Sequence, residues 1–343
     1  MKNKRIIKKM LMMVIVIGMS GWMEACELAD EGRSDVGVTT SPITFWVPPS
    51  NPLASDLIGR GLNGMSMNGQ VLDGHSVVAV SLEDVQLRSG HPRDLGLEGT
   101  VFPGTYAPGR DPERQRIVGA VFSAILDDGE AIALRIDSVG PGMSDDSYLE
   151  YAVSYLADDG WVPMCGTDEE GLPVLAIPLK GLWNYDAGTE GGGSHVPDDS
   201  AFTFACKGHV LAKCVDMGYK PWVEGLICPD ERRRRDCVRG SLAGHHQACT
   251  RLLRADYCGD GVSHTEDDVL VNYYDGFGIR LDSEDWDVEA EWTADGARCV
   301  TGSMRGGLED TPACLADLSF EDCGDFEHFE GETLLISELQ PAG

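Results

Sequence analysis

Asp256, Cys258, Asp260 and His264 crowd around a Gly259-Asp260-Gly261 turn. A cysteine hydrolase needs a thiolate beside an imidazole that a carboxylate orients. One reading therefore makes Cys258 the nucleophile, His264 the base and Asp256 or Asp260 the orienter. Nearness in sequence does not supply the hydrogen-bond geometry such a site requires. A second reading is a metal centre. His245 and Cys249 are four positions apart and share a helical face; with Cys258 and His264 they make the two-Cys, two-His set that tetrahedral zinc accepts. Outside the cytoplasm zinc thiolates compete with oxidation, and the paired His245-His246 reads as surface.

The third reading spends the thiols on disulfides. The chain has eleven cysteines, and an odd thiol in an exported protein needs an explanation. If Cys26 is lipidated, Cys165, Cys206, Cys214, Cys228, Cys237, Cys249, Cys258, Cys299, Cys314 and Cys323 remain as an even set. Their connectivity is open, with one constraint. A continuous helix would hold Cys249 and Cys258 about 13 Å apart, beyond bridging reach; pairing them needs the helix to end near Ala255. In this reading Cys258 is structural, Tyr257 buries its ring and finds a partner for its hydroxyl, and Asp256 marks the end of the helix. No phosphate loop, nucleophile elbow or metalloprotease helix occurs elsewhere. The expectation is a non-catalytic binding or envelope-structural module without a cofactor.

The elements that position these residues are legible as patterns. Residues 117–126 and 131–136 flank Asp127-Asp128-Gly129, a hairpin signal. Residues 148–156 alternate, turn at Asp158-Asp159-Gly160 and continue into Trp161-Val162; residues 174–179 form a further strand, and the Gly191-Gly192-Gly193 stretch ends the region. Beyond it, 201–206 reads as a strand, 210–219 as a short helix and 242–254 as the clearest helix. Leu252 and Leu253 stand three and four positions after Cys249, on one face. Residues 269–274 and 288–292 read as strands, the latter entering the turn Ala294-Asp295-Gly296. Nearer the N-terminus an apolar residue recurs every fifth position: Leu57, Leu62, Met67, Leu72, Val77, Leu82, Leu87. Neither helix nor strand has that period. It suggests a short pentad-repeat-like coil with those side chains inward, or a plain series of turns.

The N-terminal segment directs the protein out of the cytoplasm. Lys2, Lys4, Arg5, Lys8 and Lys9 precede an apolar run over 10–19, too short for the roughly twenty residues of a spanning helix. Met23-Glu24-Ala25-Cys26 resembles a lipobox, and a cut after Ser20 is the competitor. Lipidation at Cys26, a membrane attachment through that lipid and an outer-membrane location are the expectation. With 57 acidic against 27 basic residues the net charge is −30, which repels phosphate backbones and argues against a nucleic-acid partner. The one basic island, Arg232 to Arg235, is flanked by Asp230, Glu231 and Asp236.

Around Ala255-Asp256-Tyr257-Cys258 the chain resembles the ADYC-domain family, which is named for that tetrapeptide. Phe202-Thr203-Phe204-Ala205-Cys206, Leu211-Ala212-Lys213-Cys214, Gly218-Tyr219-Lys220-Pro221-Trp222 and Ser263-His264-Thr265 support the resemblance over roughly 175–300. It implies an exported bacterial protein, often lipid-anchored, and no particular chemistry. The layout expected is a signal peptide (1–25), a tether (26–56), the pentad segment (57–96), an antiparallel β region (97–182) and a cysteine-rich domain (183–343). The fold class is α+β, mostly antiparallel β, with a small disulfide-braced mixed domain in the C-terminal half.

Overall fold

The alternating stretches become strands because their apolar faces need a common interior. A computed structural model describes residues 67, 69, 72, 75–83, 85–88, 95–111, 114–143, 145–227, 238–265, 269–305, 312–316, 321–323, 329 and 331–341. The first nine strands are β1 (Val77–Ser81), β2 (Val121–Leu126), β3 (Ala131–Pro141), β4 (Leu149–Ala157), β5 (Gly160–Pro163), β6 (Ala176–Lys180), β7 (Leu182–Trp183), β8 (His195–Val196) and β9 (Ala201–Cys206). Six of them pair antiparallel in the order β3-β2-β1-β9-β6-β4, and β4 pairs back onto β3. The result is a closed six-stranded barrel, with β5 carried as a hairpin partner of β4. Closure leaves those six strands no open edge. In β2, Phe122, Ala124 and Leu126 are buried while Ser123 and Ile125 face solvent. Phe102 fills the interior, its ring 5.4 Å from Phe122 and from Phe202 and 5.7 Å from Tyr151. Side chains fill a barrel of this size.

The remaining elements are α1 (Val210–Asp216), β10 (Glu224–Ile227), β11 (Val238–Ser241), α2 (Ala243–Arg254), β12 (Val271–Asp275), β13 (Asp287–Thr293), β14 (Gly296–Val300), α3 (Ala313–Ala316), β15 (Glu321–Asp322) and β16 (Leu335–Leu339). A five-stranded sheet runs β12-β16-β13-β14-β15, antiparallel except for β14 with β15. Helix α1 is buried on both faces. Leu211, Ala212 and Val215 pack on the outside of the barrel with Ile177, Leu179 and Ala205, while Val210 and Cys214 join Ala248, Cys249 and Leu252 of α2. Helix α2 then presses Leu252 and Leu253 against Ala290, Trp292 and Leu335 of the second sheet. Among the described residues no helix is long and apolar enough to cross a membrane.

Three expectations change. Val77–Ser81 is strand β1, hydrogen-bonded between β2 and β9, and not part of a pentad coil. Met67, Leu72, Val77 and Leu82 are nonetheless buried, because their spacing delivers them to one interior through a strand and its flanking turns. Leu57 and Leu62 lie outside the described residues, as do the signal segment and tether. The border drawn at 182/183 falls inside the barrel: β9 lies beyond it, yet sits between β1 and β6. Third, His245 and His246 are 4% and 1% exposed, since α2 is covered by α1 on one side and the sheet on the other.

Candidate functional site

Helix α2 ends where Ala255 takes a left-handed φ of 50°. The Ala255 N–H returns to the Leu252 carbonyl (3.1 Å) and the Asp256 N–H to the Arg251 carbonyl (2.9 Å), the bonding of a Schellman cap. Glycine is the usual residue there; here a fully buried alanine bears the backbone cost. The Asp256 carboxylate pairs with the Arg251 guanidinium and accepts the N–H groups of Asp260 (3.1 Å) and Gly261 (3.0 Å). Arg251 reaches on to the Gly192 carbonyl (2.5 Å) and the Ser194 hydroxyl (2.8 Å). One buried ion pair thus ties together the helix end, the glycine turn and the 191–194 loop. Gly259 (φ 66°) lies so close to the Asp295 carbonyl that no Cβ fits.

Tyr257 stacks on Trp292 with ring centroids 5.3 Å apart. Its hydroxyl donates to Glu289 (2.6 Å) and accepts the Arg305 N–H (2.9 Å). Glu289 also receives the Arg305 guanidinium (2.8 Å) and the Ser337 hydroxyl (2.7 Å), and Ser337 accepts the Trp292 indole N–H (2.8 Å). Burial works to raise the Glu289 pKa, but Arg305 and the hydrogen bonds outweigh it and leave the carboxyl below its ordinary value. A buried charge pair of this kind is tolerable only when its remaining hydrogen-bonding capacity is met, as here. Cys258 is disulfide-bonded to Cys314 of α3.

The residues singled out for chemistry are therefore occupied. Cys258 has no thiol for His264 to activate; the His264 ring lies against Tyr257 (centroids 6.2 Å apart), and its backbone N–H bonds the Arg254 carbonyl (2.9 Å). The zinc set loses both thiolates, because Cys249 pairs with Cys214 and not with Cys258. Cys165 with Cys206 and Cys299 with Cys323 complete four bridges among the described residues. Cys228, Cys237 and the arginine island lie outside them. Four disulfides imply an oxidising, extracytoplasmic compartment. One His–carboxylate group, His75 with Asp127 and Asp128, holds three donor atoms within 4.8 Å on the surface. Its members bond each other and Ser76, pinning the β2–β3 turn.

Sequence reasoning missed a cleft of about 220 Å³ lined by His245, Gly276, Phe277, Phe329, Thr333 and Leu334. The His245 ring is sandwiched, 4.4 Å from Phe277 and 6.1 Å from Tyr219. Asp275, at the end of β12, fixes one wall. Its carboxylate accepts the N–H groups of Phe277 (2.8 Å), Ile279 (3.2 Å) and Arg280 (2.7 Å) and the Tyr219 hydroxyl (2.9 Å). Burial holds the His245 pKa below its ordinary value, partly offset by Asp275 and the Ser241 carbonyl. No hydrogen-bond partner reaches its Nδ1. These lining residues come from α2, the loop after β12 and the approach to β16, so no local motif signals them.

The ADYC-domain family model matches residues 114–306, which takes in most of the barrel as well as α1, α2 and the β13–β14 hairpin. No curated protein and no solved structure matches the chain.

Proposed function

The chain belongs to the ADYC-domain family, and from that premise we propose that it is an exported, lipid-anchored module that binds rather than catalyses. One observation carries the reading. The four signature residues all serve the fold: Ala255 closes α2, Asp256 holds the turn, Tyr257 completes a buried network and Cys258 bridges to Cys314. A signature whose members are sealed inside offers a substrate no nucleophile or base. The lipid anchor rests on the apolar run before Cys26 and on the even cysteine set left when Cys26 is acylated. Glu27 is not the aspartate that retains many lipoproteins at the inner membrane, so the outer membrane is the proposed location, with an envelope or extracellular ligand as partner.

Two measurements on protein purified from its membrane test this reading. Mass spectrometry of the N-terminal peptide is expected to find a diacylglyceryl-modified Cys26; an unmodified peptide starting at Gly21 overturns the anchor. Alkylation of the folded, oxidised protein is expected to label no cysteine. A Cys258 that alkylates in a His264-dependent way overturns the non-catalytic reading and restores the hydrolase.

A further inference from the structure

We propose that the cleft beside His245 is a binding site for a single aromatic ring bearing one hydroxyl group, a phenol, whose hydroxyl bonds the His245 imidazole. The inference rests on reading the fold as a binding module and names the ligand class. Size is the first constraint. The cleft holds about 220 Å³, below the roughly 300–1,000 Å³ of sites for drug-sized ligands. It exceeds the roughly 150 Å³ cavity that accepts benzene. One substituted ring fits.

Chemistry is the second constraint. Phe277, Phe329 and Leu334 make the wall apolar, and none of the six lining residues is an acid, a lysine or an arginine. A charged ligand entering it would lose water without gaining a countercharge. The Thr333 hydroxyl is already engaged, donating to Glu291 (2.6 Å) and accepting from Arg298 (3.1 Å). His245 is the exception: the residue is 4% exposed, and neither ring nitrogen has a hydrogen-bond partner. Leaving a buried polar atom unmet costs free energy that a ligand can recover. Nδ1 is sealed from solvent, so a ligand meets the ring at Nε2. Burial favours the neutral imidazole, and a hydroxyl, which donates or accepts, satisfies either tautomer. The wall is also rigid beforehand, because the Asp275 carboxylate locks residues 277–280, which lowers the ordering cost of binding.

The test is an NMR titration of the full chain with p-cresol and, as its hydroxyl-free counterpart, toluene, following the His245 ring and the Phe277 and Thr333 amides. p-Cresol is expected to shift these signals and to bind about 3- to 10-fold more tightly than toluene, the worth of one hydrogen bond. His245→Phe keeps the stacked ring, removes the nitrogens and is expected to level the two affinities. Gly276 has no unusual φ, and an added Cβ would press the Phe329 ring at 3.3 Å; Gly276→Val is expected to exclude both probes. A capped tyrosine peptide that binds more tightly than p-cresol identifies the source as a protein side chain; the reverse order identifies a free phenol. Absence of p-cresol shifts at His245, equal affinity for toluene, or a preference surviving in His245→Phe overturns the site. If His245→Phe does not fold, a wild-type Nε2 shift with p-cresol and not with toluene decides. The thiol count on the same samples reports separately on the non-catalytic reading.

Discussion

Cys258 and His264 lie six residues apart and yet do unrelated work. Cys258 bonds α3 to the end of α2, while the His264 ring lies on Tyr257. Cys258→Ser is expected to lower unfolding free energy by about 2–5 kcal/mol, and His264→Ala by no more than about 1 kcal/mol; urea denaturation of both variants checks the difference. His246 makes a different prediction. Its Nε2 donates to the Leu211 carbonyl (3.0 Å), and burial pulls its pKa down to about 4 from 6.5. In the unfolded chain it takes up a proton below about 6.5. Between these values the unfolded state binds more protons, so stability is full above pH 6.5 and falls as the pH drops toward 4. The shift corresponds to about 3 kcal/mol, and His245 and His209 are shifted in the same direction. Unfolding midpoints at pH 7.0 and 4.5 should show the loss, and His246→Gln should shrink it. An unchanged difference in that variant would exclude His246 as the source.

Helix α2 is the element on which both the clasp and the cleft depend. One side meets α1 through the Cys214–Cys249 bridge, its end is tied by Asp256, and its first turn presents His245 to Phe277. The facing wall depends on a single carboxylate, since Asp275 holds three backbone N–H groups and the Tyr219 hydroxyl. Asp275→Ala leaves those donors to find other partners. The expected outcome is a loss of about 1–3 kcal/mol, with faster amide exchange at Phe277, Ile279 and Arg280 and unchanged protection in β2 and β3. Slow exchange at all three amides in the variant would show that the loop is held by something else.

At the scale of the molecule, a barrel and a second sheet share α1 and α2 as the layer between them. The bridges join segments 41, 35, 56 and 24 residues apart, each restricting the unfolded chain. The barrel itself depends on its aromatic filling, because Phe102, Phe122, Phe202 and Tyr151 interlock with no exposed face. Phe122→Ala is expected to cost about 3–5 kcal/mol. If barrel and second sheet fold as one cooperative unit, near- and far-ultraviolet signals should shift together in that variant. Separate transitions would show that the disulfide-braced half is stable alone.

The sequence by itself determined the local pieces. The Asp127-Asp128-Gly129, Asp158-Asp159-Gly160 and Ala294-Asp295-Gly296 turns place the β2–β3, β4–β5 and β13–β14 hairpins, because such turns and the alternation around them are properties of neighbouring residues. Helix α2, its apolar face and its end at Ala255 were legible for the same reason, as was a structural role for Cys258. Which element meets which was not legible. An apolar alternating stretch states that it needs a buried face and does not name its partner, so the place of β9 between β1 and β6 and the closure of β3 on β4 follow only from the packed whole. Cysteine pairing is of the same kind, since any cysteine brought within reach is chemically equivalent, and packing α1 on α2 is what gives Cys249 to Cys214. The burial of His245 and the cleft it lines come last in that sequence of dependence. They exist because residues 245, 276–277, 329 and 333–334 are carried to one place by separate elements, and no periodicity in the chain records that meeting.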